Sequence, residues 1–117
     1  MAATATRVVT IGYTGDVIGT ETLSATSNAL SPASVTIHTL GAGDNTITTP
    51  TGGSTVKGAT IVPPTGNAQA ITLKGVGGDT GVALSKLDPT SIAFETAPAN
   101  FILNAGGTIT GLRIFWT

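Results

Sequence analysis

The chain has no cysteine, and charged residues make up only 9 % of its 117 positions. Without cysteine there is neither a disulfide frame nor a thiolate zinc site, and the redox compartment stays open. A typical soluble domain carries about a quarter charged residues, so this surface must be largely Thr, Ser, Gly and Ala. The five cations, Arg7, Lys57, Lys74, Lys86 and Arg113, are dispersed, and the net charge is −1. That leaves nothing to neutralise a run of phosphates and argues against nucleic acid as a partner. Aromatic residues reach 4 %, with Tyr13 and Trp116 the only ones carrying a polar handle, too few for the stacking platforms of a sugar-binding sandwich. No stretch approaches the roughly eighteen consecutive apolar residues of a membrane helix. MAATATRVV has neither a basic n-region nor an apolar h-region, so neither a secretion signal nor a membrane span is expected.

What is present is β-forming. About one residue in five is Thr, and Val and Ile are plentiful; such side chains are stiff at χ1, which disfavours helix and suits a pleated sheet. Apolar residues are 40 % of the chain and recur with period two, so the low charge does not signal disorder. The length allows one domain, burying about two-thirds of its unfolded surface.

Strand candidates follow one another between Gly, Pro, Asn and Asp punctuation. They are RVVTIGY, VIGTETL, SVTIHTL, a short strand after a Gly-Asp-Asn turn in GAGDNTITT, TVKGATIV, QAITLK, VAL, SIAFET, FILNAGG and TITGLRIFWT. The segment SATSNALSP reads as a loop. In SVTIHTL, Val35, Ile37 and Thr39 share one face and Thr36, His38 and Leu40 the other. In the last strand Leu112, Ile114 and Trp116 oppose Gly111, Arg113 and Phe115; large apolar groups on both faces suit a central strand. Some eight or nine short strands, spaced about ten residues apart, predict an all-β fold, an antiparallel β-sandwich with a small β-barrel as the alternative. Residues 8–117 are expected to form the single domain and residues 1–7 a flexible arm.

One motif invites a catalytic reading. GVGGDTG, Gly75 to Gly81, has four glycines between two strand candidates. A dinucleotide fingerprint started at Gly75 would place its third glycine on Thr80, and a P-loop needs its Lys after the glycines, whereas Lys74 precedes them. A hairpin turn with positive φ, and with Asp79 bonded to the local backbone, explains them better. A nucleophile elbow would place Gly52, Ser54 and Val56 at its key positions, so its last glycine is missing. His38 is the one side chain that titrates near neutrality unperturbed, and it lies mid-strand. The carboxylates Asp16, Glu21, Asp44, Asp79, Asp88 and Glu95 stand singly, without EF-hand spacing. No catalytic residue, cofactor or metal site is therefore expected. A hydrolase assembled from His38 and dispersed Asp would need a pocket with convergent titratable groups.

The pieces ITLKGVGGDTGVALSKLDPTSIAFET and TITGLRIFWT, with a GDTG-type turn, a DPT turn and a strand ending in FWT, resemble small all-β head decoration, or cement, proteins of tailed bacteriophages. The resemblance covers about the last half of the chain. It implies a jelly-roll-like sandwich that assembles as a homotrimer on the capsid exterior. There it would sit over junctions between hexamers and pentamers of the major capsid protein and staple the shell, after synthesis in the host cytoplasm. It implies no small-molecule substrate and carries over no catalytic residue. The expected capsid or oligomer contacts are Arg7 in the arm, Pro63 and Pro64, the hairpin residues Gly77, Gly78 and Asp79, and Trp116, read as a core or interface anchor. The competing reading is a tail or head-fibre module that recognises a host glycan or protein.

Overall fold

The computed structural model describes residues 3–5, 8–13, 19–24, 28–30, 35–50 and 55–117. The strands among them are β1 (Ala3–Ala5), β2 (Val8–Tyr13), β3 (Gly19–Ser24), β4 (Asn28–Leu30), β5 (Val35–Leu40), β6 (Gly43–Thr48), β7 (Gly58–Val62), β8 (Ile71–Lys74), β9 (Val82–Leu84), β10 (Thr90–Ala93), β11 (Asn100–Ala105) and β12 (Ile109–Trp116). β5 to β12 build two four-stranded antiparallel sheets, in the orders β10-β7-β12-β5 and β6-β11-β8-β9. Counted along the chain, the first of these eight pairs with the last, the second with the seventh, the third with the sixth and the fourth with the fifth. That is one long hairpin rolled into two sheets, the strand order of a jelly roll. The tip of the hairpin is the connection from β8 to β9, which is GVGGDTG.

All eight sandwich strands lie in residues 35–117. The earlier strands pair among themselves, β1 with β4 and β2 with β3. β4 falls inside the segment expected to be a loop, SATSNALSP, because three residues there find a partner in β1, a long-range pairing that local turn chemistry does not encode. Ala3 to Ala5, within the expected arm, form β1; the arm's remaining residues, Arg7 among them, lie outside the described residues.

The core is where the two sheets meet. β5, β7 and β12 contribute Leu40, Ala59, Ile61, Ile109, Leu112, Ile114 and Trp116, and β6, β8 and β11 contribute Ile47, Ile71, Phe101, Leu103 and Ala105, all buried. The Phe101 and Trp116 rings meet across the gap at 6.0 Å between centroids and 56° between planes, a tilted contact that suits their quadrupoles. β12 is central in its sheet, as expected. Strict alternation would put Ile109 opposite Leu112, yet both are buried. A register shift between Thr110 and Leu112 resets the alternation at Gly111, whose φ is +84°; this is a glycine bulge.

β5 shows the expected alternation, which left open the face that the core takes. Its more apolar face points outward, leaving Val35 43 % and Ile37 72 % exposed. Thr36 and His38 turn inward because the core needs them. A buried indole N–H requires an acceptor, and Trp116 Nε1 donates to Thr36 Oγ1 at 2.9 Å. The hydroxyl lies 2.7 Å from His38 Nε2 and, having accepted from the indole, can donate its own proton to neutral His38.

β6 begins earlier than expected. Gly43, Asp44 and Asn45 are paired with Ala105, Asn104 and Leu103 rather than forming a turn. The chain crosses between sheets at Gly41 and Ala42, and Asn45 locks this corner. Its Oδ1 accepts from Gly41 N at 3.0 Å, and its Nδ2 donates to the carbonyls of Gly41, Gly43 and Leu103 at 2.9, 3.0 and 3.2 Å.

Candidate functional site

The glycine-rich segment is a hairpin turn. β9 follows it antiparallel to β8, with Leu73 opposite Val82, so no helix amino terminus is present to hold a phosphate. Asp79 Oδ2 accepts from Val76 N at 3.0 Å, and Asp79 N donates to Val76 O at 3.3 Å, the side-chain turn expected of that aspartate. A side chain at Gly81 would be strained on steric grounds. Its φ is +75°, and a Cβ there would lie 2.5 Å from Leu73 O and 2.8 Å from Lys74 Cγ.

Behind this turn the two sheets part. A cleft of about 530 Å³ opens between β9 and β10, the outer strands of their respective sheets. Leu73 and Val82 line it from one sheet, Ile92 and Phe94 from the other, with Phe101 and Pro98 also in its wall and Asp79 and Thr80 at its rim. The volume lies within the range of about 300–1,000 Å³ common for ligand sites. Val82 is 63 % exposed, so the apolar lining is open to solvent.

A second apolar surface covers the outer face of the β10-β7-β12-β5 sheet. Phe115 stands opposite Val35 on one side and Thr60 on the other, and Arg113 stands between Ile37 and Val62. The Arg113 guanidinium lies 5.3 Å from the centre of the Phe115 ring, a cation–π contact that leaves Val35 and Ile37 uncovered. The outer face of the other sheet is polar instead. There Asp44 Oδ1 accepts from Lys74 Nζ at 3.2 Å and from Asn104 Nδ2 at 2.7 Å, and these hydrogen bonds, led by that of Asn104, hold its carboxyl below the usual carboxylate range.

The sequence-expected contact residues are not brought together. Gly77, Gly78 and Asp79 are exposed at the hairpin tip. Pro63 is buried and Pro64 half-buried, ahead of a turn closed by Asn67 N donating to Pro64 O at 3.1 Å. Trp116, 1 % exposed, belongs to the core of its own chain, which removes it from any surface contact and from glycan stacking. Tyr13's side chain and Arg7 lie outside the described residues. His38 is half-buried, and burial lowers its pKa below the ordinary 6.5; its polar partner is Thr36, not a carboxylate. Among the described residues no three His, Asp or Glu side chains gather as metal ligands would.

Sequence reasoning missed both surfaces. The cleft joins residues far apart in sequence, Leu73 with Phe101, and the outer-face patch depends on which side of β5 points inward. No family model, curated protein or solved structure matches the chain.

Proposed function

We propose that the protein is a structural protein of a phage virion, a decoration protein that binds the capsid exterior as a homotrimer and braces contacts between copies of the major capsid protein. The observation that carries this reading is the pair of uncovered apolar side chains Val35 and Ile37, beside the half-buried Phe115, on the outer face of a jelly-roll sheet. Exposed apolar surface on a sheet face, here at its edge strand β5, is a usual mark of a protein contact. Jelly rolls recur in viral shells, although a fold alone does not assign a role. The Thr-rich, low-charge surface suits docking, because few charges have to be desolvated. Many symmetric copies on a shell supply by avidity what each contact lacks.

The reading assigns no catalysis, cofactor or small-molecule substrate, and places the protein on the virion surface after synthesis in the host cytoplasm. A fibre module that recognises glycans is less well supported, since the only tryptophan is enclosed in the core. The test is co-sedimentation with emptied phage heads stripped of their outer proteins. Saturable binding that is lost in Ile37→Asp is expected; no binding at any stoichiometry would overturn the reading.

A further inference from the structure

We propose that the cleft between β9 and β10 is a docking groove for an extended segment of a partner protein that carries a large apolar side chain beside an arginine or lysine. The inference does not rest on the virion reading. Three features converge on this occupant.

The walls are apolar and come from both sheets, Leu73 and Val82 facing Ile92 and Phe94, so a buried ring or branched chain would extend the core outward between them. One wall is also a sheet edge: β9 is the last strand of its sheet and, among the described residues, pairs with β8 alone. An extended segment laid beside it can add to the ladder, with alternate side chains turned into the groove.

The unpaired charge at the rim is of one sign. Lys74 also lines the cleft, but its ammonium is paired with the Asp44 carboxylate at 3.2 Å. That leaves the Asp79 carboxylate, whose hydrogen bond within the turn comes from Val76 N, and among the described residues no cation lies within ion-pair distance of it. A carboxylate with spare acceptor capacity at the end of an apolar slot favours a guanidinium or ammonium next to the buried side chain.

The experiment is an amide-shift titration of the full chain with two blocked pentapeptides, Thr-Arg-Phe-Thr-Thr and the same peptide with glutamate in place of arginine. The arginine peptide is expected to shift amides of residues 81–84 and 90–94 and to bind about tenfold tighter than its glutamate twin, the range of a charge-assisted contact. Asp79→Asn keeps an oxygen to accept from Val76 N, so the hairpin persists, and it should abolish most of that preference. Val82→Thr, at an exposed position, should weaken both peptides several-fold. Equal affinities for the two peptides, shifts confined to other surfaces, or no saturation in the millimolar range would overturn the proposal. So would binding of N-acetylphenylalaninamide as tight as that of the peptide, which would make the cleft a small-molecule pocket. Loss of peptide binding with retained head binding, or the reverse, separates this inference from the proposed function.

Discussion

On one side of the roll the chain passes from β5 to β6 through Gly41 and Ala42, and on the other it passes from β9 to β10 through residues 85–89. The first corner is short, tied by Asn45 to three carbonyls and one amide, and flanked by Leu40 and Ile47, both buried. The second is tied more loosely, by Ser85 Oγ accepting from Leu87 N and Asp88 N at 3.2 and 2.9 Å and by Asn67 Nδ2 reaching Lys86 O at 2.9 Å. It leaves Val82 63 % and Leu87 58 % exposed. The same rolled hairpin thus has one side sealed by side-chain bonds to the backbone and one side where apolar residues of both sheets are left open. The first corner and the shared core hold the fold, and the surfaces open to contact are the cleft on the second side and Val35 and Ile37 on the outer face of β5.

The largest expected effect comes from the core that both sides share. Trp116→Ala removes the ring that meets Phe101 across the sheets and leaves Thr36 without its indole donor. It should cost about 3–5 kcal/mol in denaturant unfolding, and a loss below about 1 kcal/mol would break the picture of one common core. Next is Gly81→Ala, where positive φ and contact with Leu73 O impose strain on the order of 2–3 kcal/mol. Its amide shifts should stay within residues 71–84; spread to the Gly41 corner would show that the two sides are not separable. Asn45→Ala should cost about 1–2 kcal/mol and loosen the sealed side alone, read as faster hydrogen exchange at Gly41 with Val82 unchanged.

The smallest effect is that of pH. Burial lowers the pKa of His38 below its unfolded value, so between the two values the unfolded chain binds more protons. The stability His38 contributes is complete above about pH 6.5 and is lost as pH falls through its folded pKa. The Asp44 carboxyl, also lowered, adds a loss at more acidic pH, as the solution falls through the carboxylate range. The unfolding midpoint should therefore be lower at pH 5 than at pH 7.5, and His38→Gln should flatten that slope. A midpoint that rises on acidification would contradict the assignment of His38 as an inward, neutral group.

Period-two patterning made β8, β9, β11 and β12 legible, and the glycines of GVGGDTG marked the hairpin tip because positive φ is a local demand. What local pattern could not supply was pairing over distance. β4 exists through its pairing with β1, and β6 starts at Gly43 because β11 lies beside it. Alternation in β5 separated its two faces but could not say which one the core would take; Trp116's need for an acceptor decided it. Trp116 itself read as either core or interface, and only the packing of Phe101 against it resolves the choice. The cleft is a property of how two sheet edges part, which no single segment encodes.

The central claim, that this jelly roll assembles through its uncovered surfaces, is tested most directly by its mass in solution, measured by light scattering on a sizing column across a dilution series. The account predicts a stable species near three times 11.5 kDa that Ile37→Asp returns to monomer. A monomer at every concentration would contradict it.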